Sequence, residues 1–338
     1  MATRLGIIKE KRKATGILGV LLMLDRTVDR LKATVAVRFE VADCIQLQET
    51  VASLTGSGDE GEGNTGPQAR WARSKEAIGV VSAVGPGITS IEVGDIVGYV
   101  DNPMGSYAEE QIIPADVAIP IPPAMDYKTA ASILLKGMTT YVLVLQAFKV
   151  QRGHTVLVHA AAGGVGSLLC QWAHALGATV IGTVSTEEKA VQATKDGCRH
   201  VIVYTKEDFV ARVAEITSGK GVDVVYDAVG RDTFQGSLAC LMPRGCMVSY
   251  GQSSGRPDPI SVSKLTPKSL VLARPGLMHY TTTRDVLLQV AGEVFAAVTA
   301  GVLRVRVNHV YPLSEAARAH TDLEARRTCG SIVLVTDS

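Results

Sequence analysis

The sequence predicts an α/β protein in which a doubly wound parallel sheet is inserted in a smaller, β-rich domain. Residues 155–251 alternate apolar, β-branched runs with segments of helical periodicity, a pattern typical of parallel strands joined by crossover helices. Residues 78–123 and 302–335 instead hold short strands separated by turn residues, a pattern that favours antiparallel pairing. A glycine-rich turn between a strand and a helix opens the first stretch and predicts that its sheet binds a nucleotide.

Four local signals define the elements around that turn. The apolar run Thr155–Val158 predicts a buried strand, and apolar residues then recur at helical spacing up to Leu176. Gly177 stands where a glycine commonly ends a helix. A second β-branched run, 179–183, follows and predicts the next strand.

The turn itself matches the dinucleotide fingerprint G-x-G-x-x-G, with Ala161, Gly163 and Gly166 in the three defined positions. Gly163 and Gly164 let the backbone approach a pyrophosphate, and Gly166 lets the helix pack closely on its strand. Amide groups at the helix N-terminus then face the phosphates. A glycine-rich turn without a ligand is the alternative, but the strand, helix and strand around the motif favour a dinucleotide site.

The end of the second strand distinguishes NAD from NADP. An NAD enzyme usually places Asp or Glu there to bind the ribose hydroxyls. Here the first acids, Glu187 and Glu188, come after the turn, where the helix dipole favours them. The Ser185 hydroxyl and the Lys189 ammonium suit a 2′-phosphate and predict NADP(H). A solvated Lys189 on the first turn of a helix is the alternative.

Composition excludes several classes of protein. The 338 residues suffice for two domains, and 34 Lys and Arg against 33 Asp and Glu give no field that attracts nucleic acid or an acidic membrane. No apolar run reaches the roughly 18–20 residues that span a bilayer. The cysteines form no Cys-x-x-Cys pair, which predicts reduced thiols and a cytoplasmic location. They are Cys44, Cys170, Cys198, Cys240, Cys246 and Cys329.

Residues 1–72 differ from the rest of the chain. The scattered basic residues of 1–40 fit an amphipathic helix or a targeting segment. Residues 53–66, rich in glycine and acid, predict a flexible loop. The sequence predicts no strand and no catalytic group in this segment, which we expect to be partly disordered.

Shorter patterns define the remaining elements. Alternating or β-branched runs predict strands at 78–84, 93–99, 105–113, 119–123, 200–203, 222–226, 246–251, 270–273, 302–310 and 331–335. Helical spacing predicts helices at 127–147, 207–218, 233–241, 284–300 and 313–323. The last strands are too few for a separate domain, and we expect them to fold back on the first one. Ligands of parallel sheets bind beyond the carboxyl ends of the strands, where Tyr204, Ala228, Tyr250 and Gly251 stand.

Several motifs in these regions are those of a known family. They are Gly94-Asp95, Gly105–Glu109, Leu135–Thr139, Ala160–Gly166, Val225–Asp227, Leu323–Arg326 and Gly330-Ser331. With them the chain, from about residue 75 to residue 335, resembles the zeta-crystallin type of NADPH:quinone oxidoreductase in the medium-chain dehydrogenase/reductase superfamily. The resemblance implies a Rossmann NADP-binding domain over 137–273 and a GroES-like catalytic domain over 73–136 and 274–338. Residues 1–72 are then a divergent N-terminal segment, and the catalytic domain is incomplete without the strands this segment normally supplies.

The resemblance also implies cofactor contacts, with Thr139 on the nicotinamide side and Ser185, Lys189 and Tyr204 around the 2′-phosphate. The full expected set is Thr139, Gly163, Gly164, Val165, Gly166, Ser185, Lys189, Tyr204, Tyr250, Gly251 and Arg326. Relatives commonly have Ser at the position of Ala228, so we expect one cofactor hydrogen bond to be absent. The Asn and Tyr that line the family's cleft are not recognisable in residues 1–72, and no catalytic residue is assigned.

Zinc-dependent relatives carry a Gly-His-Glu motif whose His binds the metal, whereas this chain has Ser74-Lys75-Glu76 and no cluster of four cysteines. Without a Lewis acid an alcohol is not activated for hydride loss. A quinone or activated enone needs only a placed hydride. The resemblance therefore implies zinc-independent reduction of such an acceptor. Two alternatives stay open: a dinucleotide-binding protein with little turnover because the N-terminal part of its catalytic domain is missing, and a reductase of another activated alkene.

Relatives of this type form homodimers by joining the last strands of their nucleotide domains. The apolar run Leu270–Ala273 contains no Lys or Pro, and an unprotected edge strand tends to pair. We therefore expect a homodimer. The alternative is that the returning C-terminal strands cover this edge.

Overall fold

The computed structural model describes residues 34–43, 75–101, 103, 105–325, 327–328 and 330–336. In chain order the strands are β1 (Thr34–Asp43), β2 (Glu76–Val84), β3 (Ile96–Val100), β4 (Glu110–Pro114), β5 (Ile119–Pro120), β6 (Thr155–Val158), β7 (Thr179–Val184), β8 (His200–Val203), β9 (Val222–Asp227), β10 (Leu241–Ser249), β11 (Val271–Ala273), β12 (Val307–Pro312) and β13 (Ser331–Val335). The helices are α1 (Tyr127–Tyr141), α2 (Gly164–Ala175), α3 (Glu187–Lys195), α4 (Phe209–Ile216), α5 (Phe234–Cys240), α6 (Leu277–Tyr280), α7 (Arg284–Thr299) and α8 (Ala316–Glu324).

Six strands form a parallel sheet in the order β11-β10-β9-β6-β7-β8. The chain enters this sheet in the middle at β6, runs outward to β8, and then returns through β9 to β11 on the other side. The direction reverses between β6 and β9, which is the switch point where doubly wound sheets bind ligands. The predicted doubly wound parallel sheet is confirmed.

A second sheet of seven strands has the order β12-β13-β1-β2-β3-β5, with β4 also paired to β1. Its neighbours are antiparallel except for β12 and β13, which run parallel. Strands β12 and β13 come from the C-terminal tail. The prediction that this tail folds back on the first domain is therefore confirmed.

Strand β1 is the largest departure from the sequence prediction, which has no strand in residues 1–72. It pairs with β2 along nearly its whole length, with β4 over its first half and with β13 near its end. Val35, Val37 and Phe39 are buried in the core of this sheet, whereas Arg38 is exposed. The expectation of a helix or targeting segment is wrong for residues 34–40. The predicted 53–66 loop lies outside the described residues.

Several other elements also begin or end differently from the prediction, among them β10, which begins at Leu241 rather than at residue 246, and β12, which begins at Val307 rather than at residue 302. Strand β3 begins at Ile96 rather than at residue 93, because Gly94 has a φ of +98° in the preceding turn. Strand β4 begins five residues later than predicted, at Glu110, and Gly105 itself has a φ of +106°, which a strand does not adopt. The helix expected over 127–147 is α-helical only as far as Tyr141. A π-helical turn, Val142–Ala147, forms its last part.

Unlike the expectation from uninterrupted apolar runs, the helical segment 127–147 is long and apolar enough to cross a membrane by composition, but 78% of its most apolar stretch is buried inside the protein. Ile133, Leu134 and Met138 belong to a core cluster that includes residues of both sheets. Gly137 lets α7 approach closely, since a Cβ there would lie 2.4 Å from Val294 Cγ1. Helix α1 is therefore a core helix that joins the two sheets.

Candidate functional site

The turn between β6 and α2 has the geometry that the glycine pattern predicts. Ala160 has a φ of +52°, and its carbonyl oxygen accepts a hydrogen bond from the Gly163 N–H at 2.8 Å. A Cβ on Gly166 would lie only 2.2 Å from that same oxygen. Glycine at position 166 therefore lets α2 begin this close to β6. The amide groups of its first turn have no intrahelical acceptors and are available to a phosphate.

A cavity of about 320 Å³ opens at this turn, between helices α1, α2 and α3 and the C-terminal tail. Its wall consists of Ser132, Ala162, Gly163, Gly164, Ser167, Leu168, Thr186, Glu188, Lys189, Gln192, Arg304, Val305, Arg306, Asn308, Arg327, Thr328, Gly330 and Ser331. The cavity thus combines the fingerprint turn with segments that lie far apart in the sequence.

Cations dominate the wall of this cavity. Lys189, Arg304, Arg306 and Arg327 line it, and Glu188 is the one acid among the lining residues that the structure describes. Arg306 and Arg327 are engaged by carboxylates outside the wall. Lys189 and Arg304 take part in no ion pair within the described part of the chain. Two cations are therefore available for an anionic ligand such as a phosphate.

Helix α1 contributes a buried hydroxyl to the same cavity. The Oγ of Ser132 is buried and has no hydrogen-bond partner among the described residues. One turn along the helix, the buried Lys136 donates from Nζ to Ser331 Oγ at 2.6 Å. A buried polar group without a partner costs about 1–3 kcal/mol. The Ser132 hydroxyl is therefore a donor in the cavity wall that no other described residue engages.

Ser185 and Tyr204 follow the neighbouring strands β7 and β8. The Tyr204 N–H donates to Val184 O at 3.1 Å, and Thr205 Oγ1 donates to Ser185 O at 2.9 Å. These two bonds hold the strand ends side by side. Tyr204 is 46% exposed, so its ring is accessible to a ligand beyond the sheet.

Asp227 fixes the loop after β9 and the end of β10. Its buried side chain accepts at Oδ1 from the N–H groups of Val229 at 2.8 Å and Gly230 at 3.0 Å. Its carbonyl oxygen accepts from Tyr250 N–H at 2.9 Å and from Gly251 N–H at 3.3 Å. The two predicted cofactor residues Tyr250 and Gly251 therefore lie beside the loop that follows β9.

A buried chain of polar side chains joins Asp227 to the glycine turn. His159 directly precedes the turn, with Nδ1 2.9 Å from Thr183 Oγ1 and Nε2 3.0 Å from Ser237 Oγ. Ser237 Oγ donates to Asp227 Oδ2 at 2.8 Å, so it accepts from His159, and the ring proton is assigned to Nε2. Burial lowers the pKa of His159, which is therefore neutral near pH 7. This series of hydrogen-bonded side chains fixes the ends of β6, β7 and β9 relative to one another.

The structure brings only part of the predicted set into one cavity. Gly163, Gly164 and Lys189 line it. Outside its wall lie Thr139, Val165, Gly166, Ser185, Tyr204, Tyr250 and Gly251, whose cofactor contacts stay predictions. Arg326 lies outside the described residues, although the adjacent Arg327 lines the cavity.

Sequence patterns miss most of the cavity wall. The missed residues include Ser132, Ser167, Gln192, Arg304, Arg306 and Asn308. They come from three helices, from the chain before β12 and from β12 itself, and no local motif marks them. Only the Leu323–Arg326 and Gly330-Ser331 motifs indicate from the sequence that the C-terminal tail contributes to the cavity wall.

Comparison with known proteins gives consistent matches. The family model described as zinc-binding dehydrogenase matches residues 164–290, which cover most of the parallel sheet and end within α7. The chain is 49% identical to 2-haloacrylate reductase of a Burkholderia species, over 77% of this chain and 79% of the reductase. It is 47% identical to quinone oxidoreductase 1 of Escherichia coli, over 77% of this chain and 80% of that protein.

The fold is also that of a solved relative. The structure of Escherichia coli quinone oxidoreductase complexed with NADPH superposes with a TM-score of 0.82 and 41% sequence identity. The superposition covers 90% of this chain and 92% of that one. The two-sheet architecture is therefore shared with this relative.

Proposed function

The chain belongs to the quinone oxidoreductase family of the medium-chain dehydrogenases/reductases, and we propose on that premise that it transfers a hydride from NADPH to a quinone or an activated enone without zinc. Within the family we assign it to the zeta-crystallin type. The observation that carries the cofactor assignment is the cationic cavity at the glycine turn. Lys189 stands there in place of the acid that would recognise an unphosphorylated ribose.

The described residues fit NADP(H), which supplies a hydride from its nicotinamide ring when bound. The first amides of α2 and the backbone of Gly163 and Gly164 would hold the pyrophosphate. Lys189 and Ser185 would hold the 2′-phosphate, and the unpartnered Ser132 hydroxyl is one more donor in the wall. A charge-assisted contact to phosphate contributes on the order of 1.5–3 kcal/mol, which corresponds to a preference for NADPH over NADH of about tenfold or more.

The remaining proposed contacts lie at strand ends and on α1. Thr139 is proposed for the nicotinamide side and Tyr204 for the 2′-phosphate, with Tyr250, Gly251 and Arg326 beside the cofactor. Tyr250 and Gly251 are oriented by the Asp227 carbonyl oxygen, which bonds both of their amides. The buried hydrogen bonds from His159 to Asp227 keep these strand ends rigid. Ordering them when a cofactor binds therefore costs little free energy.

Zinc-independent chemistry is proposed from the donor set. Lys75 occupies the position of the metal-binding His in zinc relatives, and its Nζ pairs with Asp101 at 2.5 Å. An ammonium group has no lone pair to offer a metal. Within the ranges that the structure describes, no group of three or more His, Cys, Asp or Glu side chains could hold a metal ion. An electron-poor acceptor needs only the hydride and a proton from solvent.

We propose that residues 73–136 and 274–338, with β1, form the catalytic domain and that residues 137–273 form the NADP-binding domain. Strand β1 lies in the middle of the seven-stranded sheet and supplies the partner that β2 and β4 need. This pairing favours a working enzyme over the alternative of a binding protein whose catalytic sheet lacks its N-terminal strand.

We propose a homodimer that pairs through β11. This strand is at the edge of the parallel sheet, and Val271 and Leu272 are 53% and 39% exposed. The C-terminal strands β12 and β13 join the other sheet, so they leave this edge uncovered. An uncovered apolar edge strand is a ready partner for a second copy.

A cytoplasmic location is proposed from the cysteines. Cys170, Cys198, Cys240 and Cys246 are all free thiols, as expected in a reducing compartment. The near-neutral net charge of +1 gives no support to a nucleic-acid or membrane partner, and a small quinone or enone is the proposed substrate.

Steady-state oxidation of NADPH and NADH by the purified full-length protein tests the proposal. A panel of a simple quinone, an enone and 2-haloacrylate identifies the acceptor class. We expect turnover of at least one of these acceptors, with kcat/KM about tenfold or more higher for NADPH than for NADH. Tight binding of NADPH without turnover of any acceptor would contradict the enzyme assignment and favour the binding protein.

A further inference from the structure

One buried carboxylate outside the predicted site is bonded to three of the segments that form the cavity. The Asp196 side chain, at the C-terminal end of α3, is 1% exposed. Arg306 donates from Nη1 to Oδ2 at 3.0 Å and from Nη2 to Oδ1 at 2.7 Å. Ser167 and Gln192 donate to Oδ2 at 2.9 and 2.8 Å, and Gln171 donates to Oδ1 at 3.1 Å. The carboxylate is thus fully hydrogen-bonded despite its burial.

These donors come from separate parts of the chain. Ser167 and Gln171 lie on α2, Gln192 lies on α3, and Arg306 lies in the tail before β12. Gln171 strengthens the junction, since its Oε1 accepts from Arg304 N–H at 2.7 Å and its Nε2 donates to Arg304 O at 3.2 Å. Asp196 and its neighbours therefore fasten the tail to the two helices that follow the glycine turn.

The fastened segments are the walls of the cavity. Ser167, Gln192, Arg304 and Arg306 line it, whereas Asp196 does not. The carboxylate lies behind the wall and engages Arg306. It leaves Lys189 and Arg304 as the cations available to a ligand.

We propose that Asp196 is a positioning residue for recognition of the 2′-phosphate of NADPH. It holds the tail at the spacing at which Lys189, on α3, and Arg304, on the tail, converge on one phosphate. The inference rests on the proposed function and extends it to a residue that does not touch the cofactor. Asp196 is buried and the Arg306 side chain is 31% exposed, so removing the carboxylate leaves the guanidinium and the other donors without their acceptor, and we expect the tail to move away from α2 and α3.

Isothermal titration of the full-length protein with 2′,5′-ADP and 5′-AMP tests this role, because the two ligands differ only in the 2′-phosphate. Asp196→Asn keeps the shape of the side chain but replaces one carboxylate oxygen with an amide NH2 group. That donor then faces groups that themselves donate to Asp196. We expect affinity for 2′,5′-ADP to fall about tenfold and affinity for 5′-AMP to change by less than about twofold. Arg284→Lys is the control: Arg284 bonds the carbonyls of Ala115 and Ala118 at 2.6 and 3.0 Å, away from the cavity wall. It should leave the ratio of the two affinities unchanged.

Equal losses for both ligands would make Asp196 a general structural residue and overturn the proposal, as would no loss for either. The affinities of the wild-type protein for the two ligands test the proposed cofactor separately. If wild-type protein binds 2′,5′-ADP no more tightly than 5′-AMP, the NADP assignment fails and this inference fails with it.

A second variant and a second measurement cover the case in which Asp196→Asn does not fold. Gln171→Met breaks the bonds to Asp196 and Arg304 from outside the cavity wall, and we expect the same selective loss. Hydrogen exchange on the wild type needs no substitution. Amides of residues 304–308 should be protected more by 2′,5′-ADP than by 5′-AMP, and equal protection would overturn the proposal.

Discussion

Replacing Gly166 with alanine tests the glycine turn where its fit is tightest. The added Cβ would lie 2.2 Å from the Ala160 carbonyl oxygen, 2.9 Å from its carbon and 3.2 Å from Ala161 Cα. Because these are backbone atoms, no side-chain rotation relieves the overlap, and α2 must move by about 1 Å to restore ordinary contact. Overpacking of this kind costs about 1–3 kcal/mol, and we expect the upper part of that range. A displacement of about 1 Å should also weaken NADPH binding by about tenfold or more.

Urea unfolding and titration with NADPH measure the two effects separately. Gly292→Ala is the matched control, because nothing lies within 4 Å of a Cβ at that position in α7. Alanine favours a helix by up to about 1 kcal/mol over glycine, so the control should be slightly stabilised with unchanged NADPH affinity. A Gly166→Ala protein with wild-type unfolding free energy and wild-type NADPH affinity would refute the turn geometry.

Four further predictions concern charge, metal, assembly and pH. Lys189→Ala should lower NADPH affinity about tenfold and leave NADH affinity nearly unchanged in titrations of both, since only the phosphate contact is lost; equal losses would count against it. Elemental analysis should find no stoichiometric zinc, and chelators should leave turnover unchanged, whereas one zinc per chain would contradict the assignment. Leu272→Lys on the edge of β11 should convert the dimer to a 35.7 kDa species in sedimentation at micromolar protein, and a wild type already at that mass would end the dimer proposal. Burial lowers the pKa of His320 from 6.5 to about 4, so its contribution to stability should be complete above about pH 6.5 and lost as pH falls towards 4. The melting temperature of His320→Phe should therefore fall less than that of wild type between pH 7 and 4, and equal falls would refute this.

The elements around the glycine turn could be predicted because their signals are local. Strand β6 has the bounds expected from its β-branched run, and Gly177 has the positive φ of +85° that ends α2. Strand β1 also carries a local signal, since Val35, Val37 and Phe39 alternate along Thr34–Asp43. Basic residues before it and the acidic, glycine-rich composition of residues 53–66 after it mask this alternation in the composition of residues 1–72.

The cavity could not be predicted in the same way because its wall is non-local. Arg306 bonds Asp196 across 110 positions, and Lys136 bonds Ser331 across 195. No spacing rule in the sequence relates such residues. Only the packing of the tail on α2 and α3 places them together. The turn and Lys189 indicated a phosphate site, whereas Arg304 and Ser132 became visible only in the folded chain.

The most direct test of hydride transfer uses NADPH carrying two deuterium atoms at nicotinamide C4. The purified protein is incubated with this cofactor and an activated enone, and the saturated product is analysed by mass spectrometry. The carbon that receives the hydride forms a C–H bond that does not exchange with water, so its isotope records the donor. We expect one deuterium per product molecule together with stoichiometric oxidation of NADPH. A product without deuterium, or no product while NADPH binds tightly, would contradict it.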